Sequence, residues 1–168
     1  PFTQSVAERL VEQERILFVC GRYEGMDERA YDLADERLSI GDYILTGGEL
    51  PAMVVADAVV RLIPGALGDD MSNKDESFAT GDDGGLLEYA QYTRPAEFRG
   101  KSVPAVLLSG DHAKVDAWRR ANAIERTCRW RPDLIARAGL DEEERARAAA
   151  LIEAMHGPHG PCETGGRL

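Results

Sequence analysis

The apolar positions of the chain fall into helical and extended patterns in alternation. In "TQSVAERLVEQ", 3–13, Val6, Leu10 and Val11 recur at helical spacing behind Thr3, which predicts a helix with Thr3 as its N-cap. "RILFVC", 15–20, is an unbroken apolar run rich in β-formers and predicts a buried parallel strand that ends at Gly21. "YEGMDERAYDLADE" then starts a helix, and "RLSIG", 37–41, predicts a second short strand. Strand, loop, helix and strand in this order indicate an α/β layered fold. In such folds ligands bind where loops leave the carboxyl ends of parallel strands. Two glycine-bearing loops lie at such ends, "CGRYEG" at 20–25 and "GDYILTGG" at 41–48. A helix over 49–63 follows, expected to bury Met53, Val54, Ala58, Val59 and Leu62.

The second half is patterned differently. Residues 68–85, "GDDMSNKDESFATGDDGG", are rich in Gly, Asp and Ser and read as a linker or solvated hinge. After "YTRP", 92–95, and "VPAVLLSGDH", 103–112, the segment "AKVDAWRRANAIERT", 113–127, predicts a helix. "RPDLIARAGL", 131–140, predicts a short helix with Gly139 as its C-cap. "DEEERARAAALIEAM", 141–155, predicts an amphipathic helix with acids in its first turn, where they suit the helix dipole. The last dozen residues are expected to fray. No internal repeat is present.

The 43% hydrophobic content among 168 residues is enough for a sizeable core. No stretch reaches the roughly 18 uncharged apolar residues of a membrane span. The three cysteines, Cys20, Cys128 and Cys162, have neither CxxC nor Cys/His ligand spacing, so no zinc site or disulfide framework is indicated, and a reducing, cytoplasmic setting fits best. Neither glycine loop matches GxGxxG or GK[ST], which removes the dinucleotide and P-loop readings. The net charge of −10 argues at first against a nucleic-acid partner. Its distribution reverses that view. Residues 1–85 carry 7 basic and 18 acidic side chains, residues 86–140 carry 10 and 6, and residues 141–168 carry 3 and 6. A basic segment inside an acidic protein can steer a polyanion locally.

Five phrases then carry a resemblance: "LFVCGRYEGMDERA", "SIGDYILTGGELPAMVVADAVVRLIPGALG", "YTRP", "VPAVLLSGDHAKVDAWR" and "RPDL", in this order. Together they closely resemble the TrmD family of bacterial tRNA (guanine-N1)-methyltransferases, of the SPOUT class, over nearly all of residues 3–140. The resemblance implies an α/β SPOUT fold, a trefoil-knotted parallel sheet followed by a small all-α C-terminal domain. No local pattern would suggest a knot. On this expectation residues 1–68 are the C-terminal part of the knotted catalytic domain, 69–85 a flexible linker, 86–155 a helical tRNA-binding domain and 156–168 a disordered tail. The family's N-terminal strands are expected to be missing, since Pro1 stands in mid-phrase. The resemblance further implies S-adenosylmethionine as cofactor, magnesium assistance at a site no ligand cluster marks, and a homodimer with shared active sites. The substrate would be the guanosine just 3′ of the tRNA anticodon.

The same resemblance assigns residues. Gly21, Glu24, Ile40, Gly41, Tyr43, Leu45, Gly47 and Gly48 would cradle the cofactor, with Pro51 closing the cradle; otherwise they are ordinary tight turns. Alignment of donor and nucleophile can supply roughly 7–11 kcal/mol of barrier reduction. The guanine N1 proton needs a base and the developing charge on O6 a cation. Glu76 matches the family's base and Arg61 its arginine. The family's "DSF" reads "ESF" here, so the base is one methylene longer, and Asp75 is the rival acid. The linker is also longer between Phe78 and Leu86, and Trp130 replaces the first Arg of "RRPDL". Arg94, His112, Arg119, Arg126 and Arg131 would bind RNA, arginine's fork suiting phosphate; the alternative is a solvated helix face. Trp118 reads as core. Two other readings stand beside methylation of that guanosine: a SPOUT methyltransferase for another RNA site, and a non-catalytic cofactor- or RNA-binding remnant.

Overall fold

The computed structural model describes residues 1–23, 25–66, 76–78 and 85–157, with the backbone alone at His156. The chain divides into two compact units, Pro1–Asn73 and Lys74–Leu168.

The first unit is built on two helices, α1 (Gln4–Val11) and α3 (Glu49–Val60), with one short turn of helix between them, α2 (Glu28–Tyr31). Its core is Ala7 and Leu10 of α1 against Val55 and Val59 of α3, with Phe2, Ile16, Leu38 and Ile40 packed around them. Full burial of each leucine or valine side chain contributes about 1.5–3 kcal/mol. Thr3 is the N-cap of α1, although its hydroxyl meets Ser5 Oγ at 2.9 Å rather than a backbone amide. α3 ends three residues short of the predicted 63, and of the residues expected to be buried Val59 is in the core with Ala58 and Leu62 packed against it. Met53 and Val54 are exposed, while Val55 and Val59 are buried. A helix apolar on every side leaves its rotational phase unspecified.

The strand reading of this unit is corrected. Residues 15–20 join no ladder, and Leu17 and Val19 are 86% and 64% exposed rather than buried. Residues 37–41 likewise form no strand. A strand is completed by neighbours, and among the described residues the only pairing in this unit is one antiparallel bridge between Arg22 and Gly47. No parallel sheet is present among the described residues. The helix expected from 23 onward is confined to α2, where Asp27 caps Arg29 N–H at 2.9 Å.

The second unit contains a small antiparallel hairpin, β1 (Glu97–Phe98) and β2 (Lys101–Ser102), in the register Glu97 to Ser102 and Phe98 to Lys101. Its two-residue turn, Arg99–Gly100, has both φ angles positive, 51° and 74°, as tight hairpins require. After a 3-10 turn at Ala105–Leu108 come α4 (His112–Trp130), α5 (Pro132–Ile135) and α6 (Glu142–His156). Leu86, Ala123, Ile124, Cys128, Ala138, Leu140 and Ala148 form one core. Asp141 and Glu144 close a reciprocal capping box on α6, at 2.8 and 3.1 Å. Gly139 is not a C-cap: α5 ends at Ile135 with Ala136 as its cap, and the Gly139 carbonyl instead accepts from Arg120 at 2.8 Å. The whole is a mixed fold of helices and a small sheet. The linker reading at 69–85 falls outside the described residues except at 76–78 and 85, and so does the tail reading from 158 onward.

Candidate functional site

In the first unit the two glycine loops meet. Gly48 N–H donates to the Gly21 carbonyl at 3.0 Å, beside the Arg22–Gly47 bridge. Arg22 and Glu49 pair across the same junction at 2.7 Å. A Cβ on Gly48 would lie 2.9 Å from Cys20 Cα, so this approach needs glycine. Gly41, at φ 150°, carries the Tyr43 ring where a Cβ would stand. Ser39 Oγ accepts from Gly41 N–H at 3.3 Å, and the Tyr43 hydroxyl donates to the Ile40 carbonyl at 3.4 Å. Ile40 packs on the core, Pro51 sits half-buried in the first turn of α3, and Tyr43 and Leu45 are exposed. Gly21, Gly47 and Gly48 are thus brought together, while Ile40, Gly41 and Tyr43 make a turn of their own. Glu24 lies outside the described residues. The Met26 side chain lies against Gly21 and the Glu49 carboxylate against Gly47, where a Cβ would stand. Arg61 is the C-cap residue of α3, its amide donating to Asp57 at 3.2 Å.

Glu76 belongs to the second unit and is half-buried. Asp75 lies outside the described residues. Next to Glu76, Ser77 Oγ accepts from Glu88 N–H at 2.8 Å, and Phe78 N–H donates to the Leu86 carbonyl at 3.1 Å. Phe78 has φ 67°, and its ring centre is 5.9 Å from the Arg131 guanidinium.

The arginines divide by what they touch. Arg120 binds both Glu144 oxygens, at 2.8 and 3.0 Å, and holds the Glu144 carboxyl below the usual glutamate value. Arg126 Nε donates to the Glu88 carbonyl at 2.9 Å. Arg131 grips Asp133 in a two-point pair at 2.8 and 2.7 Å, which lowers the Asp133 pKa. Arg119 reaches Asp116 at 3.5 Å and lies over the Tyr89 ring at 4.9 Å. Arg94 and His112 are exposed. Trp118, expected in the core, is half-buried and faces Tyr92 with ring centres 6.3 Å apart. Sequence reasoning missed Asn122 and Thr127, whose side chains accept the Ala90 and Leu87 amides at 2.7 and 2.9 Å. Polar residues beside Ala123 and Ile124 on an apolar helix face were the signal that could have found them. Among the described residues no three His, Cys, Asp or Glu side chains cluster closely enough to hold an ion, and no helix is long and apolar enough to cross a membrane.

These features define a two-unit protein with a glycine-built loop junction in one unit and an arginine-lined helical bundle in the other. The family model described as tRNA (Guanine-1)-methyltransferase TrmD matches residues 1–137, and the chain belongs to that family. The tRNA (guanine-N(1)-)-methyltransferase of Staphylococcus carnosus is 55% identical over 145 residues, 86% of this chain and 58% of the relative. That of Moorella thermoacetica is also 55% identical, over 86% of this chain and 56% of its own length. That of Pelotomaculum thermopropionicum is 51% identical over 157 residues, 93% of this chain and 61% of its own. The chain therefore spans about three-fifths of the length of these curated relatives.

Proposed function

We propose that the natural protein transfers a methyl group from S-adenosylmethionine to N1 of the guanosine just 3′ of the tRNA anticodon. The observation that carries this reading is the family match over residues 1–137, whose two glycine phrases meet at Gly21 and Gly48. In the reaction the S–CH3 bond breaks as the N1–CH3 bond forms. The N1 proton passes to the Glu76 carboxylate, and the Arg61 guanidinium stabilises charge developing on O6. S-adenosylhomocysteine and 1-methylguanosine leave. Gly21, Glu24, Ile40, Gly41, Tyr43, Leu45, Gly47, Gly48 and Pro51 hold the cofactor, while Arg94, His112, Arg119, Arg126 and Arg131 face RNA.

The reading includes the finer architecture: a trefoil-knotted SPOUT domain ending near 68, a linker to 85 and a tRNA-binding domain to 155. It also includes a cytoplasmic homodimer with shared active sites and magnesium assistance. Exposed Leu17 and Val19, with Met53 and Val60 on α3, support cover by further chain or a second subunit.

The test is nucleoside mass spectrometry of tRNA treated with the protein at its natural length. 1-Methylguanosine is expected only in tRNAs with guanosine at that site, and Glu76→Gln abolishes most turnover while cofactor binding persists. A different methylated nucleoside makes it an enzyme for another RNA site. Tight S-adenosylhomocysteine binding without any product makes it a non-catalytic binder. Normal turnover by Glu76→Gln with loss in Asp75→Asn moves the base to Asp75.

A further inference from the structure

Residues 86–90 lie beside α4 without a strand partner among the described residues, so their peptide groups must be satisfied otherwise. The side chains of α4 supply one set of partners. Thr127 Oγ1 accepts the Leu87 amide at 2.9 Å, Asn122 Oδ1 the Ala90 amide at 2.7 Å, and Arg126 Nε donates to the Glu88 carbonyl at 2.9 Å. The tripeptide 76–78 supplies the rest. Ser77 Oγ accepts the Glu88 amide at 2.8 Å, and Phe78 N–H donates to the Leu86 carbonyl at 3.1 Å. Glu88 is thus held at its carbonyl by Arg126 and at its amide by Ser77. Phe78 keeps its left-handed φ of 67° where that amide bond and the Arg131 guanidinium hold it. The residue fixed to this frame on its N-terminal side is Glu76.

We propose that Ser77 and Arg126 are positioning residues for the Glu76 carboxylate, linking it through the Glu88 peptide groups to α4. The inference rests on the reading of Glu76 as the base. Ser77 and Phe78 pin the backbone directly after the acid, which fixes where its side chain starts. A base must lie within hydrogen-bond reach of its proton, and a displacement of about 1 Å can cost on the order of a hundredfold in rate. Arg126 accordingly acts on the reaction through the Glu88 carbonyl, whatever it contributes to RNA affinity.

The test is single-turnover methyl transfer by the protein at natural length. Ser77→Ala is expected to slow transfer about ten- to a hundredfold, with the Kd for S-adenosylhomocysteine unchanged, and Ser77→Thr, which keeps the acceptor oxygen, to restore the rate. Ser77→Ala placed on Glu76→Gln is expected to add no further loss, since both act at one carboxylate. Should Ser77→Ala not fold, Ser77→Cys, of similar volume but a poor acceptor, takes its place. A wild-type rate for Ser77→Ala, or an equal loss with and without Glu76, overturns the inference while leaving the base reading intact. A wild-type rate for Glu76→Gln overturns the base reading and the inference with it.

Discussion

Thr127 is the one buried polar side chain of the core among the described residues, and both ends of its hydroxyl are engaged. Oγ1 donates to the Ala123 carbonyl at 2.7 Å and accepts the Leu87 amide at 2.9 Å. Thr127→Val keeps the shape and deletes the hydroxyl. The Ala123 carbonyl lies within α4, where the helical ladder still supplies a donor. The Leu87 amide, half-buried, loses its acceptor, and a donor stranded in this way costs about 1–3 kcal/mol. Thr127→Ser keeps the hydroxyl and loses one methyl from a fully buried position, about 0.8 kcal/mol plus a small cavity cost. Valine is therefore expected to destabilise more than serine. Urea unfolding followed by tryptophan fluorescence reads the second unit alone, because both tryptophans, Trp118 and Trp130, belong to it. Amide exchange at Leu87 should speed up roughly 5- to 150-fold in the valine variant, the same free energy read locally. If Thr127→Val is as stable as Thr127→Ser and Leu87 keeps its protection, the hydroxyl does not hold this segment.

Other perturbations separate the remaining roles. Arg120 depresses the folded pKa of Glu144 below its ordinary 4.5, so the stabilisation is complete well above that value and is lost as pH falls through the folded value; melting temperature should drop on acidification, and more weakly in Glu144→Gln. Equal acid slopes for the two proteins refute the pairing. A Cβ at Gly48 meets the Cys20 backbone at 2.9 Å, whereas at Gly47 it meets the movable end of the Glu49 side chain. Calorimetry with S-adenosylhomocysteine should therefore show Gly48→Ala weakened at least about tenfold, or 1.4 kcal/mol, and Gly47→Ala less; the reverse order removes the loop junction from the cofactor site. Arg94→Ala should leave melting unchanged and shallow the salt dependence of tRNA binding by about one in log–log slope. Arg126→Ala should lower melting through the lost bond to Glu88.

The helices were legible because their signals are local. Val6, Leu10 and Val11 set the face of α1, and Asp141 with Glu144 carries both halves of a capping box three residues apart. The strands were not. "RILFVC" has the composition of a buried strand, yet burial is a property of its neighbours, and Leu17 stands 86% exposed where none lies alongside among the described residues. The phase of α3 was readable only in part, with Val59, Ala58 and Leu62 right and Met53 and Val54 wrong. "ELPAMVVADAVV" has apolar residues all round, so the choice of Val55 over Val54 falls to the packing of Ala7 and Leu10. Gly139 had the right residue type for a cap, but the short α5 closed on Ala136 first, leaving the Gly139 carbonyl to Arg120. The glycine loops were legible as turns; that Gly48 needs its missing side chain against Cys20 is a fact of three dimensions.

The arginines show where counting charge misleads. Ten basic residues between 86 and 140 describe a field, and a field says nothing about which guanidinium is already taken. Arg120 binds a carboxylate of its own unit and Arg126 spends its Nε on a carbonyl, so charge count alone does not say what each guanidinium holds. A better signal lay in the same helix. A segment without a partner strand must find acceptors and donors for its peptides, and Asn122, Arg126 and Thr127 are spaced so that all three can reach one side of α4. Read that way, "NAIERT" is the edge of a ladder made of side chains, and the acid-bearing tripeptide 76–78 adds to it through Ser77 and Phe78.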